Sequence, residues 1–322
     1  MLHTGSRGEN MKTPDSSARR AVITGAAGAL GRTLAARMAP GGAPILGLDR
    51  AAAAVPGATF EPCDIATARF GDIVRPGDMV FHLAAFVHRL PRTAEEIREV
   101  HEVNHHATAR LAEACLAARA TLVFVSTVAV SADSEYGKSK AAAEAAIRQL
   151  GEKGLAFSIV RFPLLYGPHG HGNMERMLQA IRSGRYWPIG DPATPKSCLF
   201  LDDAARALLL AADRGLGGTF LAAPGIAPTL GEIHAAAYAA VGRRAPRMAI
   251  PRGAALAAAR VMQAVAGLVG RSTRLPDQIE TLTAQAEFDG APFARATGFA
   301  PEVGLEEGMR RTARWLEGGV TS

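Results

Sequence analysis

Short, continuously apolar runs alternate with helical patterns through the first half of the chain. AVIT (21–24), PILGLD (44–49), MVFHLA (79–84), TLVFVST (121–127) and FSIVRF (157–162) show little alternation of polar and apolar positions. Strands read this way when both of their faces are covered, as in parallel sheets flanked by helices. Between them the spacing predicts helices over 29–39, 94–118 and 136–150. The last is rich in Ala and Glu, with no Pro or Gly after its first turn, a composition that favours helix. Strand, helix and strand repeated in this way predict an α/β fold built on a doubly wound parallel (Rossmann) sheet.

After Pro163 the pattern changes. A Gly/Pro/His-rich loop (167–173) precedes a helix expected near 174–184 and a turn-rich stretch over 188–195. CLFL (198–201) reads as a strand, and Asp202-Asp203 opens a helix with carboxylates at its positive end. The remainder reads as a smaller, mostly helical C-terminal substrate lobe ending in an amphipathic helix over 304–317. The expected organisation is therefore a solvated tail (1–19), a sheet domain (20–166 plus about 198–222) and a lobe formed by 167–197 and 223–322.

Composition removes classes rather than choosing one. A chain of 322 residues, 48% hydrophobic and 20% charged, is neither disordered nor fibrous. Its formal charge of +6 includes no run of five or six like charges and selects no anionic partner by itself. Cys63, Cys115 and Cys198 lie far apart in no metal-ligand spacing, which fits a reducing compartment. Residues 1–20 contain no apolar core of signal-peptide length. Gly253–Gly270 is interrupted by Arg260 and Gln263 and reads first as a packed helix, with an amphipathic membrane-facing helix as the alternative. A cytoplasmic protein is expected, with neither nucleic acid nor membrane as partner. His105, His106, His169 and His171 lack carboxylate or cysteine neighbours at ligand spacing, so no metal is expected.

The candidate chemistry begins at Thr24-Gly25-Ala26-Ala27-Gly28-Ala29-Leu30-Gly31, between the first strand and the first helix. Glycines there permit a tight turn and close approach of backbone N–H groups to a pyrophosphate. Asp49 ends the second strand 18 residues after Gly31, where a carboxylate accepts hydrogen bonds from a ribose and repels a 2′-phosphate. NAD is therefore favoured over NADP, with Arg50 the feature that keeps NADP in view. Tyr136 and Lys140 stand at i and i+4 on one helix face, directly after a strand that ends in Ser126-Thr127. A nearby ammonium and a cationic nicotinamide are expected to lower the phenol's pKa and make Tyr136 an acid/base. The Thr127 hydroxyl is placed to orient the reacting oxygen, and His88 to contact substrate.

The ordered set TGAAGALG (24–31), LDR (48–50), CDI (63–65), FHLAA (81–85), VN (103–104), FVST (124–127), YGKSK (136–140) and RFPLLYGP (161–168) resembles the extended short-chain dehydrogenases/reductases. Within them it is similar to the NAD-dependent nucleotide-sugar epimerases and dehydratases, a match that FLDDAARAL (200–208) and TGFAP (297–301) continue. The resemblance implies a cofactor site of Gly25, Ala27, Gly28, Ala29, Leu30 and Gly31 for pyrophosphate, and Asp49 and Arg50 for the ribose end. Asp64 and Ile65 would meet the adenine, and Leu83, Ala84 and Ala85 would line the cofactor. Lys140 would hold the nicotinamide ribose, and Phe162, Pro163 and Leu165 would flank the nicotinamide. Ser126, Thr127, Asn173 and Lys196 fall at substrate positions, the last two toward a diphosphate. A homodimer through the helices 94–118 and 136–150 is implied as well.

Two departures narrow the reaction. Val128-Ala129 stands where dehydratases of this family carry Asp-Glu, and neither residue transfers a proton. Only eight residues (128–135) separate Thr127 from Tyr136, and Ser131 replaces the usual tyrosine of that stretch. What remains is hydride transfer at a carbinol. The expected activity is a nucleotide-sugar epimerase, most simply a UDP-hexose 4-epimerase. The alternatives are an NAD(P)-dependent reductase or dehydrogenase of a keto-sugar or other carbonyl, and a catalytically silent dinucleotide-binding sensor.

Overall fold

The computed structural model describes residues 19–51, 57–86, 91, 93–268 and 275–318. The tail ahead of Arg19 and the candidate substrate residue His88 lie outside the described residues. The strands are β1 (Ala21–Thr24), β2 (Ile45–Asp49), β3 (Ala58–Pro62), β4 (Met79–His82), β5 (Thr121–Thr127), β6 (Phe157–Phe162), β7 (Leu164–Tyr166), β8 (Cys198–Phe200) and β9 (Gly218–Leu221). Seven of them form one parallel sheet in the order β3-β2-β1-β4-β5-β6-β9, and β7 pairs with β8 in a second, two-stranded parallel sheet. The large sheet is the expected doubly wound arrangement, with its order reversing between β1 and β4.

The first sheet domain carries α1 (Ala29–Met38), α2 (Phe70–Ile73), α3 (Ala94–His101), α4 (Ala107–Ala118) and α5 (Glu135–Glu152). The run 94–118 is one helical path interrupted by a π turn over Glu102–His106. The rest is α6 (Asn173–Arg182), α7 (Leu201–Asp213), α8 (Leu230–Ala240), α9 (Arg252–Leu268), α10 (Leu275–Thr283), α11 (Ala291–Thr297) and α12 (Leu305–Gly318). Among the described residues no helix is long and apolar enough to cross a membrane.

Each face of the sheet has its own core. Leu34 of α1, Leu208 of α7 and Phe293 of α11 pack against Ile23, Phe81 and Val160 on one side. Leu111 of α4 and Ile147 of α5 pack against Val22, Leu122 and Ile159 on the other. A third cluster joins Leu178 of α6, Ile233 of α8 and Met309 of α12 beneath β7 and β8. The segment 298–304 is held to α7 by Asp203, whose carboxylate accepts the N–H groups of Glu302 (2.8 Å) and Val303 (3.0 Å). β7 and β9 escape sequence reading, because each is three or four residues long and flanked by Gly or Pro rather than framed by helical pattern.

Candidate active site

The C-terminal ends of β1, β2, β4, β5 and β6 open into one cleft of about 790 Å³, which α6, α8 and α10 close from the other side. Strand ends at the switch in sheet order are where open α/β sheets form such clefts. The β1–α1 turn forms its floor. Gly25 adopts φ +74°, and a Cβ there would stand 2.7 Å from the Ala84 nitrogen. A Cβ on Gly31 would meet the Gly25 carbonyl oxygen at 2.3 Å and Ala26 Cα at 2.7 Å. Both positions are therefore closed to any other residue, and the loop presents bare backbone to the cleft. Asp49 holds this loop by accepting the Ala27 N–H at 3.1 Å. Ala27, Gly28, Ala29, Leu30, Asp49 and the exposed Arg50 all line the cleft. So do Asp64, Ile65, Leu83, Ala84 and Ala85 on one flank, and Phe162, Pro163 and Leu165 on the other. This cradle fits a dinucleotide: it supplies the bare backbone for a pyrophosphate and a carboxylate where the ribose would lie.

Tyr136 and Thr127 reach the same cleft. Thr127 accepts the Ala129 N–H at 3.1 Å, capping a short 3₁₀ turn over Val128–Ser131. Its oxygen is so occupied while its hydrogen is left to donate. The shortened 128–135 connection folds onto α5 because Gly137 has no side chain: a Cβ there would stand 2.4 Å from the Ala129 carbonyl and 2.8 Å from that of Ala132. Ser134 caps α5 through the Gly137 N–H at 3.0 Å, which sets Tyr136 on the first turn.

Lys140 is buried behind the cleft wall. Its ammonium donates to the Val125 carbonyl at 2.6 Å and lies 3.9 Å from the centre of the Phe124 ring. Burial pushes its pKa down to about 7, against the opposing charge of Glu144. Burial also pushes the Tyr136 phenol up to about 12, the reverse of the direction expected from sequence. Burial alone is the cause, and the Lys140 ammonium is engaged by the Val125 carbonyl.

The structure places two candidate substrate groups differently from their expected roles. The Ser126 hydroxyl donates to Glu144 at 2.6 Å, in a buried cluster where Arg161 adds two bonds (2.8 and 2.6 Å) and Arg148 a third (3.1 Å). The Lys196 ammonium donates to the Thr281 and Ala284 carbonyls at 2.6 and 3.1 Å, closing the C-terminus of α10. Both residues border the cleft with their polar atoms committed. Asn173 opens α6, exposed at the cleft. His169 and His171 lie over Trp315, with ring centres 5.2 and 6.4 Å away. Among the described residues no His, Cys, Asp or Glu group is arranged to hold a metal ion.

Sequence reading gave no role to the polar chain beneath the site. The Ala84 N–H donates to the Thr24 hydroxyl (3.3 Å), which pairs with His82 Nδ1 (2.6 Å). His82 Nε2 meets the Thr108 hydroxyl at 2.8 Å, and Thr108 itself donates to the Asn104 carbonyl at 2.8 Å. Because Thr108 donates onward, His82 carries its hydrogen on Nε2 and accepts from Thr24 on Nδ1. Burial, with Lys140 adding to it, drives the imidazole pKa down to about 3 and keeps it neutral. Asn104, in the π turn, accepts the Phe86 N–H at 2.7 Å and donates to Ser139 at 3.0 Å. Ser139 in turn donates to the Tyr136 carbonyl at 2.8 Å. The glycine loop, the β4 exit and the Tyr136 helix are thus one hydrogen-bonded unit. Glu175 carries no signal in the sequence: it is buried at the cleft, its Oε1 accepting the Gly167 N–H (3.0 Å) and its Oε2 without a partner among the described residues.

Residues 21–222 match the NAD dependent epimerase/dehydratase family, and the chain belongs to it. NAD is accordingly its cofactor. Among curated proteins the chain is 25% identical over 189 residues to the uncharacterized protein y4nL of Sinorhizobium fredii, covering 56% of this chain and 53% of that one. It is 36% identical over 130 residues to the dTDP-4-dehydrorhamnose reductase of Mycolicibacterium smegmatis, 38% of this chain and 36% of that one. It therefore spans between a third and about half of these two relatives. A longer match, 24% identical over 284 residues, is to the decarboxylating sterol-4-alpha-carboxylate 3-dehydrogenase of Schizosaccharomyces pombe, 77% of this chain and 83% of that one. Among solved structures the fold is shared with the UDP-glucose 4-epimerase of Thermotoga maritima (TM-score 0.74, 18% identity, 94% of this chain and 99% of that one). It is shared equally with the Bordetella bronchiseptica enzyme WbmF in complex with NADH (TM-score 0.74, 18% identity, 95% and 94%).

Proposed function

We propose that this protein is an NAD-dependent dehydrogenase or reductase that interconverts a secondary carbinol and a ketone on a largely apolar substrate. The observation that carries the reading is the convergence of Tyr136 and Thr127 on the cleft floored by the glycine loop, with no carboxylate at 128–129. When bound, NAD supplies the hydride acceptor. Tyr136, whose buried phenol holds its proton, gives it to the reacting oxygen as the ketone is reduced and takes it back as the carbinol is oxidised. The free hydrogen of Thr127 donates to that oxygen and fixes its direction. Asp49 and the Gly25–Gly31 loop hold the dinucleotide end, and the Asn104–Ser139 bonds keep Tyr136 in register with that loop.

The substrate side supports an apolar ligand. Met174, Met177, Leu230, Ile233, Leu282 and Phe288 contribute to its wall, and Lys196 is engaged with α10 rather than free for a diphosphate. Two of the curated relatives are named as a dehydrogenase and a reductase. The second reading is the epimerase of a nucleotide-diphosphate sugar, most simply UDP-hexose 4-epimerase, which the exposed amide of Asn173 at the cleft supports. The homodimer through α3–α5 belongs to this proposal too.

Purified protein assayed with UDP-glucose and no added cofactor separates the readings. Inversion at C4 overturns the dehydrogenase reading, whereas ketone reduction that consumes NADH or NADPH stoichiometrically supports it. In either case Tyr136→Phe is expected to lower kcat by about 10²- to 10⁴-fold while NAD still binds. Full activity in that variant removes Tyr136 from the chemistry.

A further inference from the structure

The charge of the chain is unevenly placed. Between Glu232 and Asp277 there are seven arginines and no carboxylate, so the rest of the chain, out of a total of +6, sums to −1. Three of these arginines, Arg243, Arg244 and Arg247, lie on the segment that leads into α9, and a fourth, Arg252, opens the helix. All four are exposed, and none forms an ion pair among the described residues. Arg260, at the middle of α9, meets Glu280 of α10 only at 3.9 Å.

The same segment carries exposed apolar side chains. Val261 (64% exposed), Met262 (55%) and Val265 (58%) stand out from α9, and Met248 (77%) precedes it. Trp187 (52% exposed) is fixed beside Met248 by its indole N–H, which donates to the Met248 carbonyl at 3.0 Å. Among the described side chains of α9 only Ala255 and Ala259 are buried, and α10 is a helix that α9 packs against. Apolar side chains on a helix of a soluble domain ordinarily face its core. Here most of the helix faces outward, next to unpaired cations.

We propose that α9 and the arginine segment before it dock this protein onto an anionic lipid surface, lying in the interface without crossing it. Arginine guanidinium groups meet lipid phosphates while valine, methionine and tryptophan enter the acyl boundary, the combination that interfacial helices use. A second copy of this chain fits less well: a two-fold contact centred on this face would set arginine against arginine. Nucleic acid would engage the cations and leave the exposed valines and methionines in water. α10 lies between this surface and the cleft, which its Thr281 and Leu282 line, so docking brings a cleft wall close to lipid. The docking claim stands apart from the hydride-transfer reading, since it is measured without cofactor or substrate.

The test is flotation of the full chain with phosphatidylcholine vesicles, with and without phosphatidylglycerol, followed by Trp fluorescence. Binding is expected only to the anionic vesicles, with a blue shift, and is expected to weaken at high salt. Replacing Arg243, Arg244 and Arg247 by Gln should weaken it on the order of a hundredfold, roughly fivefold per arginine. The triple variant Val261→Ser, Met262→Ser, Val265→Ser should lose the blue shift and bind at least tenfold more weakly, roughly the effect of removing three buried apolar groups, with an unchanged melting profile. Absence of binding to anionic vesicles overturns the proposal. So does binding that the serine variant leaves intact, or a serine variant that turns a wild-type dimer into a monomer.

Discussion

Lys140 shows how far one side chain's surroundings shift its behaviour. Its pKa falls from an unfolded value near 10.4 to about 7 in the folded chain, because burial disfavours the ammonium. Between those pH values the unfolded chain holds the extra proton, so stability rises with pH by up to about 1.4 kcal/mol per unit. Below pH 7 the cost of burying the charge is fully present. Lys140→Met removes this dependence, and chemical denaturation across pH 7–10 should show a slope in the wild type that the variant lacks. A shared slope would mean that another group titrates. The pairing of Tyr136 with Lys140 was legible because i and i+4 residues share a helix face. Where the ammonium points was not legible, since Val125 and Phe124 come from a strand that only folding brings beneath it. Lys196 and Ser126 teach the same lesson: their partners lie 85 and 18 residues away in the chain.

At the scale of elements, α5 is positioned by two devices. Gly137 lets its first turn sit against the carbonyls of Ala129 and Ala132. Gly137→Ala should therefore cost about 1–3 kcal/mol in denaturant unfolding, as overpacking does, and lower kcat by displacing Tyr136. An unchanged kcat would separate the short 128–135 turn from catalysis. Further along, the nearly inaccessible Glu144 pins the helix to β5 and β6. Burial raises its carboxyl, but bonds from Arg161, Ser126 and Arg148 outweigh that and hold it below the ordinary range. A depressed carboxylate stabilises the fold above the unfolded pKa and loses that effect as pH falls through the folded one. Glu144→Gln should cost about 1–3 kcal/mol at pH 7, a gap that closes below about pH 4. The π turn around Asn104 serves the same end by aiming that amide at both Phe86 and Ser139. The sequence offered VN (103–104) only as part of a resemblance, because a π turn leaves no period of its own.

Across the whole molecule, late elements complete an early core. Phe293 of α11 is fully buried in the cluster that contains β1 and α1, with ring centres 5.4 Å from Phe299 and 6.2 Å from Phe220. Phe293→Ala should cost about 3–5 kcal/mol and destabilise the sheet domain together with the C-terminal region. A separate early unfolding transition would show instead that the two are uncoupled. The net charge also changes meaning at this scale. No run of like charges marks it, yet it gathers in one acid-free stretch that folds beside an outward-facing apolar helix.

The sequence by itself determined the doubly wound sheet, the glycine loop with Asp49, and Tyr136 on the first turn of the helix that follows the strand ending in Thr127. Each is written in local spacing: unbroken apolar runs, a fixed glycine interval, one helical turn. Tertiary structure alone decided that Lys140 and Lys196 spend their ammonium groups on backbone carbonyls, and that His82 and Asn104 link the cofactor loop to Tyr136. It alone left α9 facing outward. Those outcomes depend on which distant strand or helix supplies the hydrogen-bond acceptor or the covering surface, and a linear pattern carries no record of that neighbour.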